Sequence, residues 1–186
     1  MPVVGVLGLA CLTATMAHRD MIPEITITET RDVETVWRII TDRAVFARVC
    51  DDEWLTKPID ELREIVRSIV ENPENLIPLA LVDGQLAGCF ICYAQPAGVF
   101  EVHTFMLPSC RGASAVVAGR AAMKFVFQNP DVKKLVSMCP VCLPESHWFA
   151  RRCGWRTIGV ASKNWLKDGI DHVVMLVEAT KEDLCR

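Results

Sequence analysis

An α/β fold is predicted for this 186-residue chain: a mixed central sheet of about seven strands with about four helices. Three observations carry the prediction. Segments with a two-residue apolar period outnumber those with a helical period, and the two kinds are interleaved along the chain. Asp83-Gly84 joins two of the strand-like segments, and both central residues of the tight hairpin turn need positive φ. Finally, a strand-like run ending at Leu107 leads through Pro108 and Arg111-Gly112 into AVVAGRAAMKFVFQ, a helix with almost no polar face. Such a helix needs cover on most of its surface, which a sheet supplies.

The elements follow in order. Residues 24–29 alternate Ile25 and Ile27 with polar neighbours, which predicts a strand. Asp32 is placed to cap a helix carrying Val33, Val36, Trp37 and Ile40 on one face. Pro58 opens a second helix with Ile59, Leu62, Ile65, Val66 and Ile69 on its apolar stripe, and Pro73 ends it. The period then changes to two: residues 77–82 and 86–94 form the hairpin, and 99–107 a third strand. The apolar helix runs over 115–128 and stops at Asn129-Pro130. A strand over 134–139 and a helix over 144–153 follow, with Gly154 as a left-handed terminator. Two strands, 155–165 and 171–178, close the chain through the turn Lys167-Asp168-Gly169. The order is β α α β β β α β α β β, without internal repeats.

Composition narrows the function classes. Apolar residues make up 51% and charged residues 23%, as in an ordinary globular domain, and the length fits one domain over residues 21–186. A formal charge of −3 supplies no electrostatic footprint for nucleic acid, and Lys133-Lys134 and Arg151-Arg152 read as solvated faces. Nine cysteines are too few for a disulfide scaffold and odd in number, which points to a reducing, cytoplasmic compartment. Two CxxC pairs occur, Cys89/Cys92 and Cys139/Cys142. Zinc would need both pairs to converge, but residues three apart on a strand point to opposite faces. No metal is expected, and the cysteines read as small buried hydrophobes.

Residues 1–20 form an apolar extension with no charge before His18 and Arg19. The stretch is too short for an ordinary membrane span and lacks the basic start of a signal peptide. It reads as a dispensable leader, an upstream start-codon extension, or an apolar tail that docks on a partner.

On the strand over 99–107, alternation puts Glu101, His103 and Phe105 on one face and Val102, Thr104 and Met106 on the other. Glu101 and His103 then stand about 6.6 Å apart at Cα, close enough to share a water. They form either a general base or a satisfied pair on a half-buried face. A strand that ends in a glycine turn and opens a helix presents free amides and a positive dipole end to an anion, whereas a plain helix start needs only the turn and a serine.

The order of elements resembles the GNAT superfamily of N-acetyltransferases over about residues 22–180. The residues that carry the resemblance are Glu101-Val-His-Thr-Phe-Met-Leu-Pro108 with Arg111-Gly112, His147-Trp-Phe-Ala-Arg-Arg-Cys-Gly-Trp155, and the closing hairpin Trp165-Leu-Lys-Asp-Gly-Ile-Asp-His172. The hairpin is similar to that of the branch acetylating protein N-termini. More narrowly, the combination looks like the acetyltransferase-like proteins of tailed bacteriophages, some of them linked to virion or head assembly. The resemblance implies strands splayed around acetyl-CoA or another acyl-CoA as co-substrate, with no metal. Phe105, Met106, Leu107, Arg111, Gly112, Ala113, Ser114 and Ala115 would line the coenzyme. It implies transfer to the amine of a peptide or small molecule, with Glu101 as first choice of base and His103 as second.

The family pattern Arg/Gln-x-x-Gly-x-Gly/Ala, aligned on Arg111, has Ser114 and Val116 at its two small positions. Ala150 stands where relatives carry a tyrosine acid, and the only tyrosine is Tyr93. Ser146 is the remaining candidate acid, while Leu143 occupies a position where asparagine is frequent. Cys142 and Cys153 are nucleophile candidates only by residue type, and packing is the plainer reading. The alternative function is a non-catalytic virion protein, located in the particle and using residues 1–20 to meet other virion proteins.

Overall fold

A computed structural model describes residues 23–185, except for the side chains of residues 163, 164 and 185. The apolar extension over 1–20 lies outside them. Seven strands form one sheet: β1 (Ile25–Glu29), β2 (Pro78–Val82), β3 (Gln85–Gln95), β4 (Val99–Met106), β5 (Lys134–Pro140), β6 (Arg156–Lys167) and β7 (Ile170–Thr180). Their order is β1-β2-β3-β4-β5-β7-β6, and every neighbouring pair is antiparallel except β4–β5. The hairpin turns are as expected, with Asp83 at φ 50° and Gly84 at φ 73°.

Helices α1 (Val33–Ile40) and α4 (Ile59–Glu71) cover one face, where Val36, Ile39, Val66 and Val70 meet Ile77, Cys89 and Ile91. Helices α5 (Ala113–Val126) and α6 (Pro144–Cys153) cover the other, where Ala118, Ala122 and Val126 meet Phe90, Val102 and Leu135. Asp32 caps α1 by accepting from the Glu34 amide at 3.1 Å. Gly154 ends α6 at φ 101°. Cys89 and Cys92 fall on opposite faces of β3, one in each core.

Six helices are present where about four were expected. The additional ones, α2 (Arg43–Val49) and α3 (Asp52–Thr56), are too short to show an apolar period. Each is set by an aspartate: Asp42 accepts from the Ala44 and Val45 amides at 3.0 and 3.2 Å, and Asp51 from Trp54 at 3.0 Å. Ile59 is also corrected. It stands at the first position of α4, is 62% exposed, and takes no part in the buried stripe of Leu62, Val66, Ile69 and Val70.

The segment α2–α3 is fastened to the β6–β7 hairpin. Lys167 Nζ donates to the main-chain oxygens of Ala47 and Cys50 at 2.8 and 2.7 Å. In return, the Asp52 carboxylate accepts from the Asp168 and Gly169 amides at 3.0 and 2.8 Å. Two stretches more than a hundred residues apart thus form one wall over the sheet, above the ends of β4 and β5.

Candidate active site at the divergence of β4 and β5

Strands β4 and β5 are paired over only three residues, Val99↔Lys134, Phe100↔Leu135 and Glu101↔Val136. Beyond that point β4 continues against β3 to Gly88↔Met106, while β5 follows β7 to Pro140↔Val174. The sheet therefore opens into a wedge, with Ser137 Oγ donating to Val102 O at 2.7 Å at its apex. Main-chain alternation decides what the wedge offers. The Leu107 amide donates to Ala87 O at 2.9 Å, so odd-numbered residues of this stretch turn toward β3. Thr104 and Met106 consequently turn their amide and carbonyl into the gap, as an open strand edge. A cavity of about 110 Å³ fills the wedge, with Thr104 and Ser137 on its strand walls and Gly119, Phe149 and Ala150 on its helix walls.

At the mouth of the wedge the chain enters α5 through Gly112, at φ 77° and ψ −134°, without a side-chain cap. The positive φ demands glycine, and nothing lies within 4 Å of where a Cβ would stand. The first-turn amides of Ala113, Ser114 and Ala115 have no acceptor within the helix and carry its positive dipole end. Arg111 lies beside them, its Nη2 donating to Ala44 O at 2.9 Å. Thr104, Met106, Arg111, Gly112 and Ala115 line a groove that continues to Ser146 and Trp148 of α6. Arg48 and Glu145 pair across one side of it at 2.5 Å. Val116 is half-buried against the core and does not line the groove, so its branched side chain leaves the helix start accessible. Further along α5, Gly119 is required by packing: a Cβ there would meet Cys153 Sγ and Phe149 Cζ, each at 2.7 Å.

Glu101, His103 and Phe105 share the opposite face of β4, as the alternation predicted. Glu101 Oε1 and His103 Nε2 are in direct hydrogen-bond contact at 2.9 Å, with no need of a bridging water. Tyr93 on β3 stands edge-on to the His103 ring, centroids 5.1 Å apart and planes at 89°. The His103 hydrogen bond holds the Glu101 carboxyl below its ordinary range, against the opposing effect of partial burial. Burial first, and the Glu101 charge second, push the Tyr93 phenol up to about 12, so it stays neutral. A second cavity, of about 170 Å³, lies on this face under α2 and α3. It meets the first at Val49, His103, Phe105, Met138 and Trp165.

The candidate residues are thus partly brought together. His103 and Ser146 line one cavity, and Glu101 joins through His103. Ser146 Oγ donates to Leu143 O at 2.8 Å. Ala150 is buried in the wall where a tyrosine would stand. Met106, Arg111, Gly112 and Ala115 share the groove, whereas Phe105 lines the two cavities. Leu107 is not free for a ligand: its amide is bonded to Ala87, and its side chain packs on the α1–α4 layer. Burial raises the thiols of Cys153 to about 12 and Cys139 to about 11, and also raises that of Cys142. All three are thiols rather than thiolates at neutral pH. Among the described residues no group of three His, Cys, Asp or Glu side chains is arranged to hold a metal. Sequence reasoning missed Thr104, whose edge depends on which neighbour each strand keeps. It also missed Trp165, brought in by the hairpin.

The architecture is that of the GNAT N-acetyltransferases. A spermidine N-acetyltransferase from Vibrio cholerae, in complex with CoA and spermine, superposes with a TM-score of 0.69 at 15% identity, covering 87% of this chain and 98% of the other. A ribosomal L7/L12 alpha-N-protein acetyltransferase in complex with coenzyme A gives 0.68 at 16%, covering 84% and 93%. The Microcin C7 self immunity acetyltransferase, in complex with acetyl-CoA and AMP, gives 0.66 at 16%, covering 84% and 92%. Among curated proteins no sequence matches. The chain belongs to the family described as "Protein of unknown function (DUF2824)", whose model matches residues 55–186.

Proposed function

We propose that this protein is an acyl-CoA-dependent N-acyltransferase. The observation that carries the reading is the juxtaposition of two features: the open main-chain edge of Thr104 and Met106, and the uncapped start of α5 at Gly112 a few residues later. An extended amide-bearing thioester arm suits the first and its diphosphate the second. Thr104 and Met106 would hold the arm, the Ala113–Ala115 amides the diphosphate, and Arg111 would add charge. The neighbours found by superposition include complexes with CoA and acetyl-CoA, which supports this reading.

Bound there, the coenzyme supplies an activated acyl carbonyl, and the chain's own residues handle the protons. The ionised Glu101 carboxylate accepts from His103 Nε2, which fixes the tautomer and leaves Nδ1 as the acceptor for the proton of an incoming ammonium. Ser146 is the hydroxyl on the other side of the same cavity and would return a proton to the departing thiolate. With Ala150 in place of a tyrosine, that return is the weaker half of the mechanism.

Titration calorimetry and melting with acetyl-CoA test the reading. Saturation at a hundredfold excess over Kd should stabilise the protein by about 2.7 kcal/mol, and Arg111→Glu should abolish the effect. Absence of any shift at millimolar coenzyme removes the enzyme reading. The second reading, a non-catalytic assembly protein of a bacteriophage virion, is favoured by Ala150, which puts a methyl group where a tyrosine acid would stand. It predicts that particle assembly fails without the chain and is indifferent to Arg111→Glu.

A further inference from the structure

The second cavity indicates what kind of amine the site accepts. Its walls come from eight elements and are largely apolar and aromatic, with Ile40, Trp54, Ile69, Ile91 and Phe105 among them and Trp165 closing the space. Its one carboxylate among the lining residues, Asp51, is occupied in capping α3. A polyamine would bring a second ammonium into this space with no free acid to meet it, at high desolvation cost.

One polar group in the wall has no partner. Trp165 Nε1 exposes less than 1 Å² and makes no hydrogen bond, the one buried side-chain atom of this kind among the described residues. A buried donor left unpaired is unfavourable by about 1–3 kcal/mol, and an indole can only donate. The missing complement is an oxygen acceptor, and Trp165 borders both cavities together with His103.

We propose, resting on the acyltransferase reading, that the acceptor is an α-amino carbonyl compound with an apolar side group. The amine would stand at His103, a turn of the half-buried Trp165 ring would bring Nε1 to the neighbouring carbonyl oxygen, and the side group would fill the space between Ile40, Ile69 and Ile91. Proton chemistry agrees. An α-amine titrates near 8 and a lysine amine near 10.4, so at neutral pH about one α-amine in ten is already unprotonated, against fewer than one lysine in a thousand. An apolar cavity with a single imidazole base favours the amine that sheds its proton more readily. In the reaction the acyl carbon forms a bond to the α-nitrogen and loses its bond to sulfur. The nitrogen's proton passes to His103, and the thiolate takes one from solvent, directly or relayed through the Ser146 hydroxyl, which regains its own proton in the same step.

The test is calorimetric binding to the protein saturated with CoA, so that it does not require turnover. Leucinamide is compared with isopentylamine, which lacks the carbonyl, with spermidine, and with the side-chain amine of Nα-acetyl-lysine amide. A leucine-initiated tripeptide amide is the further arm that tells a peptide end from a free amino-acid amide. Leucinamide or the tripeptide should bind at least about tenfold more tightly than the other three, and Trp165→Phe should erase the advantage over isopentylamine. Equal affinity for leucinamide and isopentylamine in the wild-type chain overturns the proposal, whatever the variant does. Preferential binding without acyl transfer from acetyl-CoA would keep the pocket assignment and remove the enzyme reading instead.

Discussion

Ser137 donates its hydroxyl to the main-chain oxygen of Val102 across 2.7 Å, one residue beyond the last paired positions of β4 and β5. That bond occupies a carbonyl at the apex of the wedge and marks where a continuous sheet becomes two diverging halves. Everything proposed for the site depends on the edge that this divergence leaves at Thr104 and Met106.

Removing the hydroxyl should therefore loosen the apex. Ser137→Ala leaves Val102 O without its partner in a half-buried position, and a loss of about 1–3 kcal/mol in denaturant unfolding is expected. An unchanged midpoint would show that the strands are held apart by packing alone.

Gly119→Ala is expected to destabilise even though alanine is the better helix former by about 1 kcal/mol. The added methyl would lie 2.7 Å from both Cys153 Sγ and Phe149 Cζ, and overpacking of this kind costs about 1–3 kcal/mol. Thermal melting of Gly119→Ala beside the double variant Gly119→Ala/Phe149→Leu checks the cause, because trimming the ring should restore part of the loss.

The Glu101–His103 bond gives a pH dependence of defined sign. The Glu101 carboxyl titrates lower in the folded protein than its ordinary 4.5, because the His103 hydrogen bond favours the charged form. Its contribution to stability is present above 4.5 and lost as pH falls through the folded value. Wild type should thus exceed Glu101→Gln in stability at neutral pH, with the gap closing as the solution is acidified below 4.5. A gap that persists or widens in acid would mean that the ionised carboxylate is not what the fold favours.

Thiol labelling separates packing from reactivity. Cys50, Cys89, Cys92, Cys110, Cys139 and Cys153 are buried, and Cys142 is the half-exposed member of the set. Brief maleimide treatment of the native protein at neutral pH, mapped by peptide mass spectrometry, should modify Cys142 before those six. Labelling of Cys153 at the rate of a free thiol would restore it as a candidate nucleophile.

How far the sequence carried the structure depended on the range of the signal. Asp83-Gly84, Gly154 and the two-residue period of Glu101, His103 and Phe105 are local, and the fold keeps them all. Helices α2 and α3 carried no full apolar period, so only their capping aspartates announced them, and aspartate is equally at home in turns. The roles of Leu107 and Thr104 were exchanged, because which neighbour a main-chain amide faces is a matter of sheet register, invisible in the residue's own identity. Trp165 entered the site through the pairing Trp165↔His172, which places a hairpin from the far edge of the sheet above its centre.

Lys167 and Asp52 join the α2–α3 segment to the β6–β7 hairpin, and the second cavity takes walls from both, Trp54 from the one and Trp165 from the other. During synthesis, the strands bearing Glu101 and His103 leave the ribosome well before residues 167–169 do. The wall that α2–α3 and the hairpin share can close only after residues 167–169 are made, so a nascent chain has the proton-handling pair in hand before it has anywhere to seat a guest.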